Sequence, residues 1–439
     1  MKGSRFLGVG VVMAMSKSLF AAYPRRAWLT AMACGVGSMF GASALYAGTF
    51  PFFVPAMMRE FHWDQATIFG VFSISVLLSP FSLPVAGRLV DRLGLRGVVI
   101  PATIAYAVCL MGMFIVPAEH LLLGALFVGI GVSGFVSTVG VFAKVISQSF
   151  DRHRGLMLAA VLGGAGSLGP AIGIPLVQWG VQTIGWRETY LAIGLAILIV
   201  VVPVHWLLLR EPARSDPQPL GTGAGAHIAP SVSGLTVRQA VATREFWLVI
   251  VASALGASAI MALRQHAVLL FSELGYRPER AAVAMSALSL ATLVGQIAAG
   301  TCLDRATQAR WVIASFTLCP LLGVLLYILA PHAFPAMLIA SVLIGVGSGS
   351  EMGFLPFLVG RYFGLRAYAE IQGYMLIVIT ITLGLAPVVV GVLHDRIGSY
   401  DAILKGLWMV LFFSSLLFLP LPKYKYAQIL TGGVDTAGR

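Results

Sequence analysis

Three consecutive polar residues interrupt an apolar stretch in the second half of the chain. Arg264, Gln265 and His266 lie in segment 245–271, whose other side chains are mostly apolar. An arginine can bind a carboxylate through two parallel hydrogen bonds, so Arg264 is a candidate for holding an anionic ligand. His266 could contact the same ligand or carry a proton. The alternative for Arg264 is a structural role, paired with helix carbonyls or extended towards water.

A single acidic residue lies in another apolar segment. Glu351 is the only charged residue within 335–360, and a carboxyl in such surroundings is a candidate for carrying a proton. The alternative is a neutral acid that is hydrogen-bonded between helices beside Gly345, Gly347 and Gly349. Further polar residues in apolar segments could line a binding cavity or make ordinary hydrogen bonds between helices. These are Tyr46, Ser137, Thr138, Gln296 and Tyr374.

The composition identifies the elements that must position these residues. The 439 residues are 58% apolar and 10% charged, whereas a soluble domain carries roughly 25% charged residues. A membrane-spanning helix needs about 20 apolar residues, and charged or Pro/Gly-rich breaks divide this chain into twelve such segments. We therefore expect an all-α polytopic membrane protein with twelve transmembrane helices. A soluble enzyme, a disordered protein and a transmembrane β-barrel are excluded, the last because its strands would alternate apolar and polar residues.

The positive charges indicate the orientation. Of the 29 Lys and Arg residues, 21 fall in segments on the side of the N-terminus, six fall on the other side, and Lys144 and Arg264 lie within spans. Because basic residues concentrate in cytoplasmic loops, this split predicts that both termini are cytoplasmic, in a bacterial-type inner membrane. The same rule accounts for the net charge of +12 without nucleic acid as a partner. Lys144 is explained by extension towards the inner surface.

The segments predict five regions. Residues 1–27 form a cytoplasmic N-terminal segment; a cleaved signal peptide is disfavoured because the apolar run 6–15 is short and is followed by basic residues. Residues 28–209 and 245–422 form two six-helix bundles. Residues 210–244 form a cytoplasmic linker that is rich in proline and glycine, and 423–439 form a cytoplasmic tail.

The two bundles resemble each other in sequence. GRLVDR at 87–92 follows the second span, and GTCLDR at 300–305 follows the eighth. Gly129-x-Gly131 in the fourth span likewise corresponds to Gly345-x-Gly347 in the tenth. Because each half contains six spans, both halves enter the membrane in the same direction. This is a parallel duplication.

The loop GRLVDRLGLR at 87–96 resembles the signature loop of the major facilitator superfamily. That resemblance implies the fold of two six-helix bundles and transport by alternating access. It also implies that this loop gates the inward side, a role carried over to Asp91 and Arg92. Gly87 would allow close helix approach, Gly94 a tight turn, and the loop's arginines, Arg96 included, would hold it in the cytoplasm.

Four further segments resemble the monocarboxylate and oxalate–formate branch of that superfamily. They are FDRHRGL at 150–156, GGAG at 163–166, GWR at 185–187 and RYFGLR at 361–366. The branch implies a small organic anion, such as a monocarboxylate, moved with a proton. The acidic first-span signature of the eukaryotic carriers and the eighth-span arginine of the branch are absent. Efflux of a hydrophobic or amphipathic compound therefore stays open as the alternative.

Other function classes lack their motifs. No P-loop, HExxH, CxxC or GxSxG occurs, so neither ATP-driven transport nor an enzyme is indicated. The four cysteines have no metal-binding spacing, and we expect no metal and no cofactor. A receptor or scaffold on the same fold would need an added cytoplasmic domain, for which the linker and the tail offer no room. The expected partners are a small organic anion, a proton and membrane lipid.

Overall fold

The computed structural model describes residues 23–136, 139–150, 157–210, 234–305, 309–364 and 366–422, and most of them are helical. Most of the N-terminal segment, most of the linker and the tail lie outside these residues. Ser137, Thr138 and residues 151–156 of the segment FDRHRGL also lie outside them.

The helices follow the predicted spans. Several spans of the first half are built from consecutive helical pieces: Arg25–Met39, Ala42–Tyr46 and Ala47–Phe61; Gln65–Leu78, Ser79–Phe81 and Ser82–Gly112; His120–Val136 and Val139–Ser149; Ala159–Gly164 and Ala165–Thr183; Trp186–Ala196, Ile197–Val201 and Val202–Leu208. The second half has a short helix and then long ones: Val237–Val241, Arg244–Glu273, Pro278–Arg305, Ala309–Leu329, Phe334–Phe363, Tyr368–Ile397 and Tyr400–Phe418.

A turn at Gly94 divides one apparently continuous helix into two spans. By length and apolar composition, eleven helices among the described residues could cross a membrane, and 65–81 forms a shorter apolar helix. Within Ser82–Gly112, however, Gly94 has φ 78° and ψ 167°, a conformation that is open essentially to glycine alone. Residues 82–93 therefore complete the second span and 95–112 form the third. This division gives the twelve spans of the predicted fold.

Breaks in the regular helix occur in the first two spans, and residues of both line the same cavity. The first span changes to a π-helical turn at Ala42–Tyr46, and the second contains a 3₁₀ turn at Ser79–Phe81 that includes Pro80. π-Helical turns are frequent at functional sites because they redirect side chains and free backbone groups. Here the π-helical turn and the 3₁₀ turn both border the cavity described below.

The repeated glycines sit at equivalent helix contacts in the two halves. Gly131 of the fourth span packs against Ser75 and Ser79 of the second, where an added Cβ would stand 2.7 Å from the Ser79 hydroxyl. Gly345 of the tenth span lies directly against the Leu288 carbonyl of the eighth. Small residues at such contacts let membrane helices approach until their backbones touch.

Several hydrogen bonds join the two halves near one end of the bundle. We name it the outer end, after the orientation that the charges predict, and it carries the loops at 62–64, 184–185, 274–277 and 398–399. Gln182 donates to Glu279 over 2.7 Å, and the backbone N–H of Ala66 donates to Asp395 over 3.0 Å. Gln65 contacts two residues of the second half. The halves are therefore closed against each other at this end.

We expect Gly345→Ala to destabilise the second half. The new methyl group would clash with the Leu288 carbonyl, and overpacking of this kind costs about 1–3 kcal/mol. The matched control is Gly353→Ala on the same helix, where a Cβ meets no atom within 4 Å. Thermal unfolding in detergent should show a lower midpoint temperature for Gly345→Ala and an unchanged midpoint for Gly353→Ala. Equal midpoints in the two variants would contradict the close contact.

Candidate substrate-binding site

A central cavity lies between the two halves. Its volume is about 210 Å³, and its walls come from the first, second, fourth and fifth spans on one side and the seventh and eighth on the other. The lining residues are Ala42, Ser43, Tyr46, Ala47, Gly48, Pro51, Phe52, Ser75, Val76, Ser79, Gly131, Phe135, Ile174, Met261, Arg264, Gln265, Met285, Leu288 and Ser289. Most of this wall is apolar, with a few hydroxyl groups and one amide.

Arg264 is the only charged residue among the described residues that line the cavity. Between the described residues, no ion pair or hydrogen bond is made to its guanidinium group. A buried charge is strongly unfavourable unless a counter-charge or several hydrogen bonds compensate it. The cavity therefore presents an uncompensated positive charge in largely apolar surroundings. An anion that enters it would supply the missing partner.

Hydroxyl groups of the first two spans form the polar part of the opposite half. The Tyr46 hydroxyl and the Ser75 hydroxyl are 3.2 Å apart, and both residues line the cavity. Tyr46 lies at the end of the π-helical turn and packs its ring against Phe72 and Phe127. This packing fixes the direction of the Tyr46 hydroxyl.

Gln265 connects the halves at the edge of the cavity. Its side-chain amide donates to the backbone carbonyl of Ala47 over 3.4 Å. Its side chain is buried, and it follows Arg264 directly in the seventh span. The guanidinium group thus has a neighbour that is anchored to the first half.

His266 does not face the cavity. Its ring contacts the Tyr400 hydroxyl at 2.8 Å and the Pro387 carbonyl at 2.9 Å, and it lies against the ring of Phe69. The physical reason is the helical period, since residues two apart on an α-helix point to opposite sides. Of the three consecutive polar residues, Arg264 and Gln265 therefore line the cavity, whereas His266 packs against Tyr400 and Pro387.

Glu351 is also separated from the cavity. Its carboxyl group lies beside Gly256 of the seventh span and near the Ser414 hydroxyl of the twelfth. Gly256 precedes Arg264 by eight residues, which corresponds to about 12 Å along the helix towards the inner end. Glu351 is partly exposed, and no described residue forms a hydrogen bond or ion pair with it.

The other two predicted lining residues lie elsewhere. Gln296 of the eighth span packs against Gly163 of the fifth, so it belongs to a contact between the halves rather than to the cavity wall. Tyr374 is 51% exposed on the eleventh span and is not among the lining residues.

Asp91 and Arg96 of the signature loop both contact residues of the first half. Asp91 forms an ion pair with Lys144 at 2.6 Å, and both side chains are largely exposed. Arg96 donates to the Leu209 carbonyl, which ties the third span to the end of the sixth. Arg92 is exposed. The tight turn at Gly94 is present, but the close approach expected at Gly87 is not, since a Cβ there would meet nothing within 4 Å.

Sequence reasoning missed much of the cavity wall. Ser43, Ser79 and Ser289 are ordinary residues of apolar segments, and nothing in their neighbours distinguishes them. A signal does exist in the seventh and eighth spans: Met261, Arg264 and Gln265 repeat the spacing of Met285, Leu288 and Ser289, which puts each trio on one helical face. Among the described residues, no three His, Cys, Asp or Glu side chains are grouped to hold a metal ion.

The sequence profile of the Major Facilitator Superfamily matches residues 32–387. Monocarboxylate transporter 13 of Bos taurus is 27% identical over 428 residues, which cover 91% of this chain and 93% of that protein. The uncharacterized MFS-type transporter YcxA of Bacillus subtilis (strain 168) is 28% identical over 176 residues. That match covers 39% of this chain and less than half, 42%, of YcxA.

Solved structures of transporters share the fold. An inward-facing, occupied bacterial homolog of the human lysosomal transporter Spinster has a TM-score of 0.64 and 15% identity, covering 89% of this chain and 93% of that one. The nucleoside transporter NupG has a TM-score of 0.65 and 14% identity, covering 89% and 97%. At this identity the similarity concerns the fold alone.

We expect Ser43→Cys to react with a small thiol reagent and Ser38→Cys to stay unreactive, both in a Cys302→Ser background because Cys302 is exposed. Ser43 is exposed and lines the cavity, whereas Ser38, five residues earlier in the same span, is 5% exposed. Rates of modification in membranes check this. Equal rates at the two positions would contradict a water-filled cavity at this place.

Proposed function

The chain belongs to the Major Facilitator Superfamily and is a membrane transporter rather than an enzyme, and we propose that it carries a small organic anion, such as a monocarboxylate. The observation that carries this proposal is Arg264, the one charged residue of the cavity wall, which has no counter-charge among the described residues. Two parallel hydrogen bonds from its guanidinium group would neutralise and orient a carboxylate.

The size and lining of the cavity favour a small substrate with one charged end. Clefts that bind drug-sized ligands measure roughly 300–1,000 Å³, whereas this cavity measures about 210 Å³. Methionine and leucine side chains opposite the hydroxyl groups would contact an apolar body. The near-full-length similarity to a protein named monocarboxylate transporter 13 supports the same class of substrate.

Alternating access supplies the mechanism. In this structure the halves are joined at the outer end through contacts of Gln65 and Gln182, and at the edge of the cavity through Gln265. Rocking of the halves about the central cavity would break these contacts and expose Arg264 to the opposite side. Residues 87–96 would form the gate on the inward side. Asp91 of this loop is paired with Lys144 of its own half, which fits a gate that has separated from the second half. We place the protein in a bacterial-type inner membrane with both termini in the cytoplasm.

Glu351 is the proposed proton carrier of a symport cycle. Its carboxyl group lies in the membrane beside Gly256 of the same helix that carries Arg264. Uptake and release of a proton there would change the charge next to the seventh span while the anion binds further along it. Gln296 and Tyr374, which lie outside the cavity wall, are not needed for this step.

Efflux of a hydrophobic or amphipathic compound is the second candidate. Phe52, Phe135 and Met261 in the cavity wall favour it. Arg264 disfavours it, because an apolar ligand would leave the guanidinium group desolvated and unpaired. The effect of removing Arg264 separates the two functions.

We expect Arg264→Ala to lower carboxylate uptake roughly 30-fold or more, because losing one partner of a buried charge pair costs about 2 kcal/mol or more. The measurement is uptake of a panel of radiolabelled monocarboxylates into proteoliposomes, with and without an inward proton gradient. The control is Arg277→Ala, whose side chain is 85% exposed at the outer end. Unchanged uptake in Arg264→Ala, or no acid transported by folded wild type, would refute the carboxylate assignment and favour efflux.

We expect Glu351→Gln to abolish gradient-driven accumulation and to preserve exchange of labelled for unlabelled substrate. The amide keeps the size of the side chain but cannot bind or release the coupled proton. Accumulation and counterflow are measured in the same vesicles. Glu370→Gln, an exposed acid of the same half, serves as control and should behave as wild type. Normal accumulation by Glu351→Gln would exclude this residue as the proton carrier.

A further inference from the structure

A continuous chain of hydrogen bonds crosses between the halves at the outer end. It begins at a backbone carbonyl of the eleventh span, passes through four side chains and ends at a carboxylate of the seventh span. Its members, in order, are the Pro387 carbonyl, His266, Tyr400, Gln65, His394 and Glu273. Successive atoms are 2.9, 2.8, 2.8, 3.0 and 3.0 Å apart. Gln65 is the only one of these six from the first half.

The chain contains more hydrogen bonds than its neutral side chains can supply with hydrogens. Each of the five bonds needs one hydrogen, and the terminal groups, a carbonyl and a carboxylate, only accept. A neutral imidazole has one N–H, so the two histidines supply two hydrogens, and the Tyr400 hydroxyl supplies one. The Gln65 amide donates through its nitrogen to one neighbour only, because its oxygen faces the other. That makes four hydrogens for five bonds.

We infer that the closed outer end of this transporter binds one proton more than its neutral histidines and ionised Glu273 provide. Two arrangements make all five bonds with that proton on a histidine. With the Gln65 nitrogen towards His394, both nitrogens of His266 are protonated. With the Gln65 amide turned over, both nitrogens of His394 are protonated and Tyr400 donates to His266. The orientation of an amide is an assignment, so both arrangements fit the same atom positions.

The surrounding charges favour His394 as the residue that holds the proton. Its ring lies 3.0 Å from the Glu273 carboxylate, whose side chain is 35% exposed. Asp395 also lies at this end of the eleventh span, where it accepts from the Ala66 N–H of the second span. His266 is 2% exposed, and the second span presents to it the uncharged ring of Phe69. A positive charge on His394 is therefore compensated by nearby carboxylates, whereas a positive charge on His266 would have no counter-charge among these neighbours.

Opening of the outer end removes the need for the additional proton. When the first half moves away, Gln65 leaves the chain and two shorter pieces remain. In one, neutral His266 donates to Pro387 and accepts from Tyr400; in the other, neutral His394 donates to Glu273. Each piece is satisfied without a further proton. The closed state consequently binds more protons than the open state, and acid at the outer side favours closure.

This proton site differs from the one proposed for coupling. Glu351 faces the inner part of the seventh span, whereas His394 and Glu273 lie at the outer end. The inference uses only the superfamily's alternating access and does not depend on the identity of the substrate. Loss of transport in Glu351→Gln or Arg264→Ala would leave it unaffected.

The test is the pH dependence of the outer-end distance. Nitroxide labels at Glu119→Cys and His332→Cys, two exposed loop positions on opposite halves, report the distance by double electron–electron resonance in a Cys302→Ser background. Spectra are recorded between about pH 5.5 and pH 8.5, on both sides of the ordinary histidine titration. We expect the ratio of closed to open molecules to fall with rising pH, by up to about tenfold per pH unit for one proton.

Tyr400→Phe is the decisive variant. It removes two bonds and one hydrogen, so the three remaining bonds need only the three hydrogens of His266, Gln65 and His394. The pH dependence should therefore disappear although both histidines and Glu273 are still present. Tyr276→Phe is the matched control, because its hydroxyl donates to the Pro331 carbonyl over 2.9 Å at the same end but outside the chain.

Gln65→Met provides a second variant in case Tyr400→Phe does not fold, and it too should abolish the pH dependence. A structural role alone would shift the closed fraction equally at every pH in these variants. The inference is overturned if the wild-type ratio does not vary with pH, or if a folded Tyr400→Phe or Gln65→Met protein keeps the wild-type slope.

Discussion

A positive charge held between the two halves, without a counter-charge from the part of the chain that the structure describes, is the constraint on which the central site depends. Arg264 lies in a cavity whose other lining residues are neutral. In water the guanidinium group would be solvated, but within the bundle its stability depends on what enters the cavity. Without a substrate, the cavity must contain water or an anion that solvates the guanidinium group. An apolar ligand alone is disfavoured because it would leave this charge unpaired. The negative charge of the proposed substrate therefore rests on one residue, while the space left for its body depends on the many apolar residues around it.

The same helix also connects the site to the closed end. Arg264 and Gln265 line the cavity, and His266, the next residue, belongs to the hydrogen-bond chain of the outer end. Because a helix is stiff over one turn, a ligand that displaces the backbone at Arg264 also displaces His266. Gln265 is bonded to Ala47 of the opposite half, so the seventh span is anchored to the first half at the residue that follows Arg264. The cavity wall and the closed outer end therefore share a run of three consecutive residues.

Much of the architecture was predictable from the sequence, because membrane helices must satisfy their backbone internally and stay apolar outside. Membership in the superfamily, predicted from the loop at 87–96, is confirmed by the profile match. The directions in which side chains point were harder to predict from the sequence. Arg264 and His266 form one polar cluster in the sequence. Side chains two positions apart on a helix point in directions that differ by about 200°, so only Arg264 faces the cavity. Ser43 and Ser289 line the cavity through the rotation and tilt of their helices, which apolar periodicity does not specify.

The central cavity is asymmetric although the fold is duplicated. Gly131 and Gly345 occupy equivalent helix contacts, so the two halves share a packing scheme. The cavity nevertheless takes most of its hydroxyl groups from the first half and its charge from the second. A symmetric site would present either two cations, which repel each other, or none. Dividing the functions lets one half hold the charged end of a ligand while the other contacts its neutral part. A ligand that spans both halves then has contacts that depend on their relative position, as alternating access requires.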